Sequence, residues 1–440
     1  MLDRLSLSNF RLFDEEVSIR FRPITVLIGN NSSGKSTILK FLLMLKQSAM
    51  SSSENFPLLN GELVRLGDFS DLKNSMSQND RLDFELSFRP RRFDFFTFMP
   101  GVLEEVLAVD SLKTVVSLQG SIPYLGHPLD GEITYLAGER GNLSKHFDLT
   151  NQLREDDIFY FEARNQKSRE IMRWIHQFID QGSSDEKPYS QSWIENLPTE
   201  LAADEIGAEF QRLMNSIFHL PPIRGELSRL VDFSDTTKDS AERRREDSLY
   251  LLRQVVKEGR ESFQFLSKHL LDVTAVRTIE IEDTPLEKGK VIATHDSTDA
   301  RVLIADLGFG VSQFLPILVK GATMPVGSCL MVEQPEAQLH PTAQLHLGSF
   351  FSELWTQREV GSVIETHSHN LLLRIRRLIA KGDLPHKDVS VAYCTLGGES
   401  NDIPIVKNLD INEDGSMEAG LPMEFFAEDI REGLRLGARR

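Results

Sequence analysis

Gly29-Asn30-Asn31-Ser32-Ser33-Gly34-Lys35-Ser36 fits the pattern G-x-x-x-x-G-K-[ST], and each residue type has a physical reason to stand where it does in a site that holds phosphate. The two glycines let the backbone curl until successive N–H groups converge on one oxyanion. A helix start adds partial positive charge, and the Lys35 ammonium reaches the outer phosphates. The Ser36 hydroxyl is a suitable ligand for Mg²⁺, and Thr37 follows it. The chemistry this points to is the binding of a nucleotide together with its cation.

Such a cation needs a carboxylate. Cys329-Leu330-Met331-Val332 runs into Glu333-Gln334-Pro335-Glu336, an apolar strand ending in an acidic cluster, and Glu333 is the expected metal-side group. A second apolar segment, Ser362-Val363-Ile364, ends at Glu365-Thr366-His367-Ser368-His369. An imidazole there, His367, is placed to hydrogen-bond a γ-phosphate or an attacking water, with protonation as a modulator. His367 and His369 lack a third ligand at zinc spacing.

The elements that must carry these residues are legible in the hydropathy pattern. Leu5 and Leu7, then Val17, Ile19 and Phe21, alternate with polar positions, and Ile24 to Ile28 is an apolar run too short for a helix, which predicts three strands. ILKFLLMLK after the glycine-rich turn contains good helix formers and no Gly or Pro. From about Asn151 to His269 the chain is charged, with spaced apolar positions such as Leu252, Val255, Val256 and Phe263, and reads as helical. Val276 to Ile281, Val291 to Thr294 and Arg301 to Leu303 read as a strand meander. Strands at Cys329–Glu333, Ser362–Glu365 and Val389–Cys394 with a helix at Leu371–Ala380 return the chain to an α/β pattern.

Composition narrows the class. At 440 residues the chain is long enough for about three domains, or for one large domain with an insertion. Its 49 Lys plus Arg against 66 Asp plus Glu give a net charge of −17, which disfavours bulk binding to nucleic acid or anionic lipid and leaves room only for a local basic patch. Cys329 and Cys394 sit in apolar runs and form no zinc or disulfide pattern, as in a reducing cytoplasm. The opening MLDRLSLSNF is not a leader in its pattern, and no stretch is long and apolar enough to span a bilayer, so a cytoplasmic protein without a membrane partner is expected.

Taken in order, GNNSSGKST, LGFGVSQ, CLMVEQPEAQLHP and VIETHSHN resemble the ABC-type ATPases of the SMC and RecF branch. Within it, the chain is most similar to compact prokaryotic predicted ATPases of phage-defence and overcoming-lysogenization (OLD) neighbourhoods. The likeness covers roughly residues 1–110 and 270–435, and the tail INEDGSMEAGLPMEFF resembles a short C-terminal domain of that subgroup. It implies an α/β fold of the SMC/RecF-like P-loop head type with a helical insertion. The expected segments are an ATPase lobe at 1–145, a mainly helical insertion at 146–272, and a second lobe with the C-terminal domain at 273–440.

The resemblance also assigns roles. Arg11, in LSLSNFRLF, is placed to approach the nucleotide, and the loop with Gly308, Gly310, Ser312 and Gln313 is placed to face the phosphate loop of a second protomer. A homodimer or higher even oligomer that binds ATP and Mg²⁺ and hydrolyses ATP is the implied state. Two departures bear on rate: Gly308 replaces the usual signature serine, and Gln334 stands at the general-base position, where an amide orients water without accepting its proton. Slow hydrolysis follows, with Glu336 as substitute base. The implied function is a switch controlling a separately encoded effector in antiphage defence. The alternatives are a repair or nuclease-associated ATPase acting on DNA, and a nucleotide-bound scaffold with little turnover.

Three other signals are weaker. Asp410-x-Asn412-x-Asp414-Gly415 begins like a calcium loop, but Leu421 stands where a bidentate Glu is needed, so a β-turn is expected. Phe88-Arg89-Pro90-Arg91-Arg92-Phe93 and Arg243-Arg244-Arg245 are the places where DNA contact is possible. Gln47, or the Gly67-Asp68-Phe69 segment, is a candidate sensor of Mg²⁺ and γ-phosphate, with a structural role preferred for Gln47.

Overall fold

The computed structural model describes residues 1–51, 57–75, 77, 81–89, 115–123, 130–137, 143–148, 210–225, 227–232, 248–258, 260–284, 288–397 and 403–417. Most of the expected insertion, the arginines at 243–245, the continuation of the Phe88 segment beyond Arg89, and the tail after Met417 lie outside them. The chain divides into two compact units: Met1–Ser18 with Thr37–Asn215, and Ile19–Ser36 with Ser216–Arg440.

Three strands open the chain, β1 (Leu2–Ser8), β2 (Val17–Arg20) and β3 (Ile24–Gly29), followed by helix α1 (Lys35–Met50). In the first unit β1 joins β4 (Arg81–Phe88), β5 (Val115–Pro123), β6 (Asp130–Ala137) and β7 (Leu143–Asp148) in a sheet ordered β2-β1-β4-β5-β6-β7, antiparallel from β1 to β7. Alternation sends Leu5 and Leu7 inward, both fully buried. The Phe41 ring of α1 meets Phe10 and Phe84 edge-on at 5.2 and 5.3 Å, a favoured aromatic geometry.

The second unit is built on a six-stranded sheet of order β16-β15-β3-β14-β13-β8. Its strands are β3, β8 (Ile217–Leu220), β13 (Cys329–Glu333), β14 (Gly361–Glu365), β15 (Val389–Gly397) and β16 (Ile403–Leu409). The first five run parallel and β16 closes one edge antiparallel. All six residues of β3 are buried, as expected for an unbroken apolar run in a parallel sheet covered on both faces. A second, antiparallel sheet pairs β10 (Val276–Thr284), β11 (Lys288–His295) and β12 (Arg301–Leu303) in order, with β9 (Val231–Asp232) also on β11. Strands β8 and β9 come from the stretch expected to be mainly helical, which also supplies helices α2 (Ser248–Glu258) and α3 (Arg260–Thr274).

Helices α4 (Phe309–Thr323), α5 (Pro341–Arg358) and α6 (His369–Ala380) complete this unit. His340 caps α5 by accepting from Thr342 N–H, and Pro341 stands at its first turn, where a missing N–H costs nothing. Ser368 caps α6 by accepting from Leu371 N–H at 3.1 Å. The α6 residues Leu371, Leu372, Ile375, Leu378 and Ile379 are buried, the spacing of one apolar helix face. After β16 the chain turns at Asn412–Gly415, where Gly415 N–H donates to Asn412 O at 2.9 Å and Ile411 bridges Met417. The half-match to a calcium loop is a turn.

Candidate functional site

Parallel register decides which side chains meet. Glu333 at the end of β13 is level with Glu365 at the end of β14, Glu365 is level with Leu27 of β3, and Gly29 is level with Cys394 of β15. The carboxyl ends of three neighbouring strands thus bring the glycine-rich loop and two carboxylates together, the place where open parallel sheets hold ligands.

Gly29 is obligatory at the loop's start. Its φ is +143°, and a Cβ there would lie 1.9 Å from the Cys394 carbonyl oxygen, so close approach of β15 and the backbone angle both require glycine. Gly34 (φ 100°) and Ser32 (φ 60°) continue the reversal, while the buried Ser33 donates its hydroxyl to Asn30 O at 2.8 Å. Asn30, Asn31 and Ser32 are exposed. Lys35 is 3% exposed, and its ammonium donates to the loop carbonyls of Gly29 at 3.0 Å and Asn30 at 2.5 Å. Burial lowers its pKa, opposed first by the nearby Glu365 carboxyl.

The Ser36 hydroxyl donates to Glu365 Oε1 at 2.7 Å. Glu365 is 3% exposed, and its Oε2 is buried without a hydrogen-bond partner. Burial raises its pKa and Glu333 and Glu336 add to the effect, opposed by Ser36 and Lys35. Glu333 lies elsewhere in the network: its Oε1 is 2.8 Å from His219 Nε2 of β8, and its carbonyl accepts from Arg224 Nη2 at 2.6 Å. Gln334 takes a left-handed φ of 45°, with its N–H bonded to Glu365 O at 2.7 Å. Glu336 Oε1 accepts from the His367 N–H at 2.8 Å. Burial pushes the Glu336 carboxyl up against that bond, and burial followed by Lys35 and His369 pushes the His367 imidazole down.

Gly308 precedes α4 as its cap residue without a side-chain cap bond, and a Cβ on it would meet nothing within 4 Å. A Cβ on Gly310 would sit 3.1 Å from Gln338 O, so the start of α4 packs on the loop that follows Glu336. Ser312 and Gln313 are buried. Gln313 Nε2 donates to Arg224 O at 2.8 Å and its Oε1 accepts from Arg224 N–H at 3.3 Å, so its amide is engaged within its own chain. In the first unit, Arg11 donates through Nη2 to Leu66 O at 3.2 Å. Gln47 donates to Leu58 O at 2.6 Å and accepts from Val64 N–H at 3.0 Å, which occupies both ends of its amide in holding a loop. Thr37 is buried in α1.

Three participants were not assigned from sequence: Glu365, His219 and Arg224. Glu365 carried a signal, an acid at the end of an apolar run beside the histidine. The other two sit on or next to a four-residue strand with no pattern of its own.

These residues fit a nucleotide with Mg²⁺. The buried ammonium suits phosphate oxygens, and Ser36, Glu365 and Glu333 are hard oxygen donors. Among the described residues no three His, Cys, Asp or Glu side chains gather into a cage. Burial pushes the Cys329 and Cys394 thiols up to about 12, leaving them neutral and without nucleophilic use. Among the described residues no helix is long and apolar enough to cross a membrane.

The AAA ATPase domain family model matches residues 1–98 and 128–372. No curated protein matches the chain. Among solved structures it is similar to the SmcHead bound to the C-winged helix domain of ScpA, at 10% identity over 93% of this chain and 98% of that one, with TM-score 0.49. It is also similar to the SMC head domain from Thermotoga maritima, at 11% identity over 93% and 99% with TM-score 0.41. A Pyrococcus furiosus Smc head domain with an extended coiled coil, bound to the C-terminal domain of ScpA, matches at 11% identity over 99% of each chain with TM-score 0.41. The family match is the comparison that bears on function.

Proposed function

The chain belongs to the AAA ATPase domain family, and from that premise we propose that it is an ATP-binding, slowly ATP-hydrolysing switch that works as a homodimer or higher even oligomer and controls a separately encoded effector. The observation that carries this reading is the convergence of Lys35, Ser36 and Glu365 at the ends of β3 and β14. Mg²⁺, when bound, neutralises phosphate charge. The loop amides and the Lys35 ammonium would hold the phosphates, Ser36 and a strand-end carboxylate would hold the cation, and His367 would orient groups at the terminal phosphate. Gln334 positions water without taking its proton, and Glu336, whose pKa burial raises, is the candidate substitute base. The exposed Gly308 and the α4 start offer main-chain N–H groups to a partner protomer's nucleotide. The resemblance of GFGVSQFLPIL to compact prokaryotic ATPases supports an antiphage setting.

Gln334 supports a second reading, a nucleotide-bound scaffold with little turnover. Release of radiolabelled phosphate from ATP by the purified chain and by Lys35→Ala separates the two. Turnover lost in the variant supports the switch, and no Lys35-dependent release leaves the scaffold.

A further inference from the structure

The sequence points to Glu333 as the carboxylate for the cation, but the geometry points to its neighbour, and we propose that Glu365 is the direct carboxylate ligand of the divalent cation, paired with Ser36. This assignment rests on the nucleotide-site reading above and identifies the residue that does the metal's work in it.

Four observations carry it. Ser36 Oγ and Glu365 Oε1 are 2.7 Å apart, close to the edge of about 2.9 Å between adjacent ligands around octahedral Mg²⁺ at 2.0–2.1 Å. The two oxygens need little movement to exchange a shared proton for a shared cation. Glu365 Oε2 is buried with no hydrogen-bond partner on a side chain 3% exposed, an arrangement that is costly unless something positive satisfies it. The nearby ammonium of Lys35 is committed to the carbonyls of Gly29 and Asn30. Finally, Glu333 has its own partner, His219 at 2.8 Å, and so acts from behind as the carboxylate that fixes the strand end and adds negative charge. Glu365 sits level with Glu333, so the cation site is moved one strand toward the phosphate loop.

Mn²⁺ serves as a paramagnetic stand-in for Mg²⁺. Its binding to the ATP-loaded full chain is followed by electron paramagnetic resonance, and ATP affinity is measured by calorimetry with Mn²⁺ and with chelator. The expected result is that Glu365→Gln weakens Mn²⁺ by at least roughly tenfold and brings the ratio of ATP affinities with and without metal close to one, whereas Glu333→Gln weakens Mn²⁺ by a smaller factor and leaves ATP affinity dependent on the metal. Circular dichroism melts check folding. If the Gln variant does not fold, Glu365→Asp keeps the charge but shortens its reach, and weakened Mn²⁺ binding is again expected. Wild-type Mn²⁺ affinity in a folded Glu365 variant, with loss in Glu333→Gln, overturns the assignment and leaves the nucleotide reading standing. A wild-type chain that binds no ATP under either condition overturns that reading and the assignment with it.

Discussion

Arg224→Met tests how the start of α4 is tied to the acidic strand end. Arg224 is 5% exposed, and its guanidinium donates to Gln313 O at 3.3 Å and Glu333 O at 2.6 Å. Two hydrogen bonds from a charged donor are worth about 1.5–3 kcal/mol each, so removing both costs roughly 3–6 kcal/mol in gross terms. Against that, burial holds the guanidinium down at about 10 from 12.5, a standing penalty of about 3.4 kcal/mol at 1.36 kcal/mol per pKa unit. Met fills similar volume and removes that penalty, as apolar replacements of buried charges do. The net expectation is a change that runs from about zero to about 2.6 kcal/mol of destabilisation, well short of the roughly 3–6 kcal/mol of the hydrogen bonds alone. Gln313→Ala removes the two amide bonds to the Arg224 backbone and costs about 1–2 kcal/mol. Because the pair belongs to one network, the double variant should depart from additivity by at least ~0.5 kcal/mol. Urea unfolding read by Trp355, whose indole donates to Asp388 within the same unit at 2.9 Å, reports the change once Trp174 and Trp193 are replaced by Phe. Destabilisation of Arg224→Met by the full roughly 3–6 kcal/mol of its hydrogen bonds, or strict additivity, refutes the reasoning.

Gly29→Ala forces a Cβ to within 1.9 Å of Cys394 O at a φ of +143°. It should destabilise the chain by more than about 3 kcal/mol and abolish ATP binding, seen as a lowered melting temperature with no nucleotide shift. Gly308→Ser adds a side-chain cap to α4 where nothing crowds it. A gain of a few tenths of a kcal/mol is expected, with tighter ATP-dependent self-association in sedimentation. Burial pushes the Glu353 carboxyl up, but His269 and Lys268 outweigh it and hold it at about 2 rather than 4.5. A depressed carboxylate pKa stabilises above the unfolded value, so this contribution is full above about pH 4.5 and is lost as pH falls toward 2. Its limit of about 3.4 kcal/mol shrinks to roughly 1–2 kcal/mol because Lys268 is half exposed and screened. Glu353→Gln should be less stable than wild type at neutral pH and converge with it in acid.

Local patterns made the strand, loop and helix from Ile24 to Met50 legible, because a fully buried strand and a glycine-rich turn are written in consecutive residues. The strand ends at Glu333 and Glu365 were visible for the same reason. Which carboxylate faces Ser36 was not, since it depends on β14 lying between β3 and β13, an order that no local spacing encodes. His219 and Arg224 were hidden more deeply. β8 has only four residues, IFHL, with no alternation to mark it, and its place beside β13 is fixed by pairing across more than a hundred residues. Gln47 shows the converse: a polar residue in an apolar helix reads as scaffold before sensor, and its bonds to Leu58 and Val64 show what it holds.

The central claim is that the loop from Gly29 to Ser36, with the Lys35 ammonium, grips a triphosphate. Calorimetric titration of the full chain with ATP and Mg²⁺ measures it directly. Saturable heat from wild type that disappears in a folded Lys35→Ala variant is the predicted result; equal heat from both, or none from wild type, contradicts it.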